Sequence, residues 1–160
     1  MKSTFEYLEQ EIYLPGFMTL TSADYDGLTM NFSFHPAEPD VTRFDLTYLT
    51  PRGLHITLSQ AGICLVERIA EEEGLIDVRD LRDYTETGRL KITELHQRFR
   101  RETPLKDSLQ GRMSIDRLRV GKTPLIRMSF DFENSSIKGE LTGVIASGPV
   151  QQTNYDLLRN

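Results

Sequence analysis

Polar residues stand at the beginning of a segment that is otherwise apolar and helical. Between Arg52 and Gly74 (RGLHITLSQAGICLVERIAEEEG) apolar positions nearly surround the predicted helix, so it must be buried. His55, Ser59 and Gln60 fall within about the first two turns. A helix N-terminus offers unpaired backbone N–H groups and a favourable dipole, which stabilise the oxyanion that forms when a carbonyl is attacked. We therefore expect a site for carbonyl chemistry at this end of the helix.

The sequence predicts that this site works without a carboxylate on the helix. On this predicted helix no acidic residue precedes Glu67, and Glu67 itself lies too far along the helix to act at its N-terminal end. The backbone at Gly53 is expected to polarise the carbonyl, while Tyr48, Ser59 or Gln60 positions the attacking group. Neutral groups would then orient water or a second substrate, or a residue would come from a partner subunit or a loop.

Each candidate side chain also has a structural interpretation. Tyr48 is explained equally well as a strand aromatic, Gln60 as a clamp between helix and sheet, and His55 as a capping or interface residue. His35 ends a predicted strand, before a loop that contains proline. Both histidines remain candidates for contact with a substrate.

The composition excludes several classes of site and partner. The 160 residues carry a net charge of −5, which disfavours a general nucleic-acid binder. The single cysteine, Cys64, excludes an intrachain disulfide and a cysteine-rich metal site. Metal-ligand spacing, a Walker loop, a GxGxxG turn and a GxSxG elbow are absent, so we expect no metal and no cofactor. Without an export signal or a long apolar run, the sequence predicts a cytoplasmic protein with no membrane partner.

The predicted elements describe one α+β domain. Strands are predicted at 17–23, 28–34 and 43–49 before the central helix, and at 113–120, 125–132 and 137–145 after it. A short helix near Ser3, a charged turn or short strand at 77–81 and a helix at 92–100 complete the pattern. An antiparallel sheet wrapped around one long central helix is the hotdog architecture. We assign residues 1–148 to this hotdog domain, with an inserted helical segment at about 77–105, and residues 149–160 to a polar tail.

Several short motifs, in this order, resemble those of the FcoT-like acyl-thioester hotdog enzymes. The motifs are Tyr48-Leu49-Thr50 before the helix, Ser59-Gln60-Ala61 within it, Arg98-Phe99-Arg100-Arg101 and Pro104-Leu105 after it, and Gly139-Glu140-Leu141 in the last strand. The likeness spans most of the chain, and it implies a hotdog fold that acts on acyl thioesters. By this resemblance, the acyl site would be lined by Tyr13, Thr50, Ser59 and Gln60.

A basic segment follows the central helix of this acidic protein. The guanidinium groups of Arg98, Arg100 and Arg101 suit the phosphates of phosphopantetheine or coenzyme A, and equally the acidic helix of an acyl-carrier protein. The predicted substrate-binding residues are Tyr13, His35, His55, Arg98, Arg100 and Arg101, and the predicted catalytic residues are Tyr48, Thr50, Gly53, Ser59 and Gln60.

Three functions are open at this point. The first expectation is a thioesterase that releases a fatty acid from coenzyme A or an acyl-carrier protein. The second is a lyase or conjugate-addition enzyme, or a dehydratase-like one, that acts on an enoyl-carrier-protein thioester. The third, favoured by the missing helix carboxylate, is a non-catalytic acyl-binding or carrier-protein docking module. The edge strand of such a sheet also predicts at least a homodimer.

Overall fold

Six antiparallel strands form one sheet around a long helix. The computed structural model describes residues 3–13, 17–35, 49, 51–74, 77–104, 108–119 and 124–145, and of Arg52, Gly53 and Glu73 the backbone alone. The helices are α1 (Thr4–Tyr7), which continues as a π-helical stretch (Leu8–Ile12), α2 (Pro51–Glu73) and α3 (Val78–Glu86). The strands are β1 (Leu20–Asp26), β2 (Thr29–Phe34), β3 (Leu90–Phe99), β4 (Leu109–Arg119), β5 (Leu125–Phe132) and β6 (Ile137–Ile145). The strand order β1-β2-β4-β5-β6-β3 confirms the predicted α+β hotdog architecture.

Helix α2 is the buried rod that the sequence predicts. It begins at Pro51, whose fixed φ and missing N–H suit a first helical turn. Leu54, Leu58 and Leu65 are completely buried. The helix ends at Gly74, whose φ of +60° is the left-handed conformation that terminates many helices. The helix therefore lies within the hydrophobic core.

Alternating side chains on the strands form the core beneath α2. The rings of Phe32, Phe34 and Phe132 are buried and meet edge to face or tilted, with centroids 5.3–6.0 Å apart. Gly111 makes room for them, because a Cβ atom there would lie 2.5 Å from the Phe32 ring. The hairpin between β1 and β2 turns at Gly27, which has a φ of +52°. Hairpin and core strands thus agree with the predicted pattern.

The prediction of a helix at residues 92–100 is wrong, because β3 covers this segment and pairs with β6. A register shift between Ile92 and Glu94 interrupts the strand alternation. Ile92 and Leu95 consequently both pack against the core, although they are three positions apart. This spacing imitates one face of a helix, which is why the local pattern misleads.

The prediction of a turn or short strand at residues 77–81 is also wrong, because α3 begins here. The carboxylate of Asp77 accepts a hydrogen bond from the backbone N–H of Arg79 at 2.8 Å, as an N-cap does. Val78 and Leu81 lie one turn apart and are buried. The other residues of α3 are mostly charged or polar, so the sequence pattern alone does not identify the helix. Burial of Val78 and Leu81 in the folded protein stabilises it.

The N-terminal helix is stabilised locally, as its sequence predicts. The Ser3 hydroxyl accepts from the backbone N–H of Glu6 at 3.3 Å, and the Glu6 carboxylate accepts from the backbone N–H of Ser3 at 2.9 Å. This reciprocal pair is a capping box. The predicted strand at 43–49, apart from Leu49, and the predicted tail at 149–160 lie outside the described residues.

Candidate active site

A groove of about 380 Å³ runs between α2 and the half of the sheet formed by β5, β6 and β3. Helix α2 lines it with His55, Leu58, Ser59, Gly62, Ile63 and Val66. Facing them are apolar side chains of the three strands, among them Ile126, Met128, Leu141, Leu90 and Ile92. A groove with mostly apolar walls and few polar groups is typical of a site for an extended apolar ligand.

Two glycines on opposite walls keep the groove open. A Cβ atom at Gly62 would lie 3.9 Å from Sδ of Met128, and one at Gly143 would lie 3.7 Å from the backbone oxygen of Lys91. Both are ordinary van der Waals distances, so no backbone crowding demands glycine at either position. The missing side chains therefore leave space that a ligand can occupy.

The groove extends along α2. Of its polar lining residues, His55 and Ser59 belong to the first half of α2. Val66 lies further along α2, and Thr85 from α3 and Lys91 from β3 also line the groove. His55 and Val66 are about three helical turns apart, roughly 16 Å. A ligand that fills the groove would meet the polar groups of His55 and Ser59 near the helix entrance and mostly apolar walls along the rest of α2.

Ser59 and Gln60, both predicted to be catalytic, face different sides of α2. Successive helical residues differ in direction by about 100°, and Ser59 lines the groove while Gln60 is completely buried towards β1. The Gln60 side-chain oxygen accepts from the Thr19 N–H at 2.9 Å, the Thr19 hydroxyl at 2.8 Å and the Leu20 N–H at 3.2 Å. Its amide nitrogen donates to the Phe17 carbonyl at 2.8 Å. The structural interpretation of Gln60, a clamp between helix and sheet, accounts for every one of these bonds.

The two polar groups in the groove differ in exposure and bonding. The Ser59 hydroxyl donates to the backbone oxygen of His55 at 3.0 Å, one turn earlier in the same helix. The oxygen of Ser59 keeps lone pairs for a second partner, and the imidazole of His55 is exposed. The structure thus brings together these two predicted residues on one wall. Gly53 belongs to the first turn of α2, just before them.

Tyr13 and His35, predicted to bind substrate, lie away from the groove walls. Tyr13 follows the π-helical stretch and packs against the core near Cys64. Burial, together with the neighbouring Cys64 thiol, raises the pKa of Tyr13 to about 12. His35 is exposed just after β2, and its backbone N–H donates to the Thr19 carbonyl at 2.8 Å. Tyr48 and Thr50, predicted to be catalytic, lie outside the described residues.

The basic segment lies at the end of β3 and in the chain that follows it. Arg98 and Arg100 are exposed. Arg101 donates to the Ser136 hydroxyl at 3.2 Å and to two carbonyls of the turn between β5 and β6, so part of its role is structural. Leu49, two residues before α2, donates its N–H to the Thr103 carbonyl at 2.8 Å. This bond brings the end of the basic segment close to the helix entrance.

Sequence reasoning missed two polar side chains in this region. Oγ1 of Thr103 and Oε1 of Gln97 are buried and have no hydrogen-bond partner among the described residues. Gln97 lies two positions after Leu95, on the same side of β3, which faces the core. The backbone carbonyl of Thr103 accepts a hydrogen bond beside the helix entrance. Buried polar atoms are rarely left unpaired, so each can receive a water or a ligand. Residue type and spacing alone carry no signal for either.

Two further features of the described residues bear on function. No group of three or more histidine, cysteine, aspartate or glutamate side chains in this part of the chain could hold a metal ion. Of the described helices, none has the combination of length and apolar character needed to cross a membrane.

Comparison with known proteins gives matches in structure but not in sequence. No protein-family model matches the chain, and no match was found among curated proteins. A thioesterase-superfamily protein from Shewanella loihica PV-4 superposes with a TM-score of 0.54 and 13% identity, covering 86% of this chain and 98% of its own. A thioesterase candidate from Shewanella oneidensis superposes with a TM-score of 0.60 and 10% identity, covering 89% and 94%.

A third structure, a thioesterase candidate from Syntrophus aciditrophicus SB, has a TM-score of 0.52 and 14% identity, and the match covers 89% of this chain and 95% of that one. Identities this low are informative about the fold and leave the subfamily and the substrate undecided. The resemblance to the FcoT-like enzymes stays a prediction. The chain has the hotdog fold of thioesterase-superfamily proteins.

Proposed function

We propose that this protein is an acyl-thioester-processing enzyme, a thioesterase that hydrolyses a fatty acyl thioester of coenzyme A or of an acyl-carrier protein. The observation that carries the proposal is the groove along α2, with apolar walls and with His55 and Ser59 at the helix entrance. The apolar part suits an acyl chain, and the polar end suits the thioester. Hotdog structural neighbours from the thioesterase superfamily give the proposal further support.

The helix entrance supplies the electrostatics that such a reaction needs. Backbone N–H groups that precede the first i→i−4 hydrogen bond of a helix have no acceptor within it, and in α2 the N–H of Gly53 holds such a position, where it can stabilise the oxyanion of an attacked carbonyl. Ser59 or His55 orients the attacking water, the carbon–sulfur bond breaks, and the leaving thiolate takes up a proton. Tyr48 and Thr50 are proposed to complete this end of the site.

The basic segment is proposed to hold the polar part of the substrate. Arg98 and Arg100 are exposed near the same end of the sheet as the helix entrance. Their positive charges suit the phosphates of coenzyme A or phosphopantetheine, or an acidic carrier-protein surface. The acyl chain would then enter the groove at the polar end and extend towards Val66.

Assembly into at least a homodimer is also proposed. In the described sheet, β1 and the ten-residue β3 are the edge strands. An edge strand exposes backbone N–H and C=O groups, and a second copy of the chain can pair with them. Light scattering at micromolar concentration would show a dimer or a larger assembly, whereas a stable monomer would rule this assembly out.

Thiol release from a panel of acyl-coenzyme A and acyl-carrier-protein thioesters tests the proposed reaction. Gly62→Leu should lower kcat/KM by at least about tenfold, because a leucine side chain would occupy the groove. Gly62→Ala is the matched control, since its single methyl group meets only Met128 at an ordinary distance.

The same panel separates the alternatives. Saturable acyl binding without turnover would replace the enzyme by a binding module, which the missing helix carboxylate favours. An amine adduct formed on an enoyl thioester, without thiol release, would replace hydrolysis by conjugate addition.

A further inference from the structure

A separate helix, α3, contributes one lining residue to the groove. Thr85 belongs to α3 and lines the groove together with Val66 of α2 and Leu90 at the start of β3. The Thr85 hydroxyl donates to the Leu81 carbonyl at 3.0 Å, within its own helix. Because its hydroxyl is already bonded within α3, Thr85 contributes to the groove mainly through the volume of its side chain.

A buried ion pair holds α3 against α2. Arg82 precedes Thr85 by one helical turn, and Glu67 follows Val66, so the pair joins the two helices beside the groove wall. Nε and Nη2 of Arg82 each lie 3.0 Å from a different carboxylate oxygen of Glu67, whose side chain is fully buried. A bidentate pair of this kind has one preferred geometry, so the position of α3 is well defined.

The N-terminal helix strengthens the same junction. The Thr4 hydroxyl donates to the Glu67 carboxylate at 2.8 Å, which gives that buried carboxylate another donor. The Arg82 guanidinium lies 4.4 Å from the centre of the Tyr7 ring, and the Tyr7 hydroxyl donates to the Arg82 carbonyl at 3.1 Å. Contacts from both helices that flank α2 thus meet at the Arg82–Glu67 pair, and they hold α3, with Thr85, in place beside the groove.

We propose that α3 limits the length of the acyl chain, with Thr85 as the specificity-determining residue at the end of the groove. This inference rests on the proposed function, since it assumes that the groove holds an acyl chain. A chain that reaches Thr85 fits, whereas a longer one must displace a helix that is fastened through Arg82 and Glu67. Side-chain volume at position 85 therefore determines the longest chain that is accepted.

Measurement of kcat/KM across a homologous series of saturated acyl-coenzyme A thioesters tests the inference. Thr85→Leu should reduce kcat/KM for the longest accepted chain by about tenfold or more and leave the shortest chain unchanged, because added methylenes compete for the same space. Thr85→Ala should shift the accepted range towards longer chains.

Thr87→Leu is the control, because Thr87 follows α3, is exposed and does not line the groove. Circular dichroism and thermal melting identify any variant that fails to fold; if Thr85→Leu is such a variant, Thr85→Ala decides alone. Profiles that are identical for the wild type and the folded position-85 variants would overturn the inference and leave the proposed function intact.

Direct binding of free fatty acids of increasing length, measured by calorimetry, separates the two claims. If the wild type hydrolyses no thioester, the proposed reaction fails. The length inference then still holds if the Thr85 variants shift the range of fatty acids that bind, and it is wrong if that range stays the same. If the wild type binds no fatty acid and hydrolyses no thioester, both claims are wrong.

Discussion

Ser59 and Gln60 are sequence neighbours that serve opposite sides of α2, Ser59 on the groove and Gln60 on the first strand. Gln60 is completely buried, and its side chain bonds to Phe17, Thr19 and Leu20. Ser59 lines the groove and bonds only within its own helix among the described contacts. Adjacent positions on one helix can therefore hold a structural residue and a site residue side by side.

This division predicts different consequences for the two alanine variants. Gln60→Ala should lower the free energy of unfolding by about 2–4 kcal/mol, because it leaves several buried backbone groups without partners. Ser59→Ala should change the free energy of unfolding by less than about 0.5 kcal/mol and lower kcat, since its hydroxyl faces the groove. Urea denaturation and thiol-release kinetics measure the two quantities. A stable Gln60→Ala protein would contradict the clamp, and full activity of Ser59→Ala would place the attacking group elsewhere.

The basic segment predicts a salt-dependent effect on substrate capture. Replacing both Arg98 and Arg100 by alanine should raise KM by roughly three- to tenfold in low salt and change kcat little, because the charges attract phosphate or an acidic carrier surface. The difference should shrink in high salt, where screening already weakens the attraction. The control is Arg117→Ala with Arg127→Ala, which removes the same charge from paired positions of β4 and β5. Equal KM values for the two double variants in low salt would argue against a specific role.

The turn between β5 and β6 predicts a pH effect on stability. Asp131 accepts from the Ser135 N–H at 2.7 Å, the Ser135 hydroxyl at 2.8 Å and Lys138 at 3.0 Å. Partial burial raises the pKa of Asp131, but the bonds from Ser135 and Lys138 outweigh it and hold the pKa below the ordinary 3.8. Because the folded-state pKa is lowered, the stabilisation is present at pH values above the unfolded-state pKa and disappears as the pH falls through the folded-state pKa.

Asp131→Asn should therefore lower the free energy of unfolding at neutral pH by up to about 1 kcal/mol, a small effect because the carboxylate is partly exposed. The gap between variant and wild type should close in acid. Denaturant titrations at a series of pH values measure it, and Asp24→Asn on an exposed position of β1 is the control. A gap that stays constant into strong acid would mean that the charge of Asp131 does not contribute.

Because the buried hydroxyl of Thr103 has no partner among the described residues, we expect the protein to tolerate the loss of this hydroxyl. Thr103→Val keeps the shape of the side chain and removes a buried oxygen for which the described part of the chain provides no partner. The free energy of unfolding should stay the same or rise by up to about 1 kcal/mol, because the folded protein no longer buries an unsatisfied group. Thr103→Ala is the contrasting variant, since it also removes a methyl group and leaves a cavity. A clear loss of stability in Thr103→Val would show that the hydroxyl is bonded to water or to a ligand in the folded protein.

The local elements of this fold were predicted from short stretches of sequence. The capping box of Ser3 and Glu6, the end of α2 at Gly74 and the hairpin turn at Gly27 each depend on residues within a few positions of one another. The apolar pattern of α2 and the alternation of β5 and β6 identify a buried helix and a sheet. The same patterns predicted the helix entrance as the site of chemistry, and this stays a prediction.

The tertiary structure decided the elements whose pattern depends on distant contacts. β3 pairs with β6, about fifty residues away in the chain, and its register shift at Ile92 produces the spacing that imitates a helix. α3 has few apolar residues, and its burial against α2 through Val78 and Leu81 makes it stable. In both segments the energy that selects the structure comes from packing between separate elements, which a local sequence window does not contain.

The candidate site likewise has features that the sequence determined and features that only the tertiary structure decided. The sequence alone determined that the start of α2 is polar, that its first turns lack a carboxylate, and that arginines follow later in the chain. Only the tertiary structure decided that Ser59 lines the groove while Gln60 clamps a strand, that Gly62 and Gly143 leave the groove open, and that Thr85 of α3 lines it as well. A groove is empty space between elements that are far apart in the chain, so its walls exist only when the chain has folded.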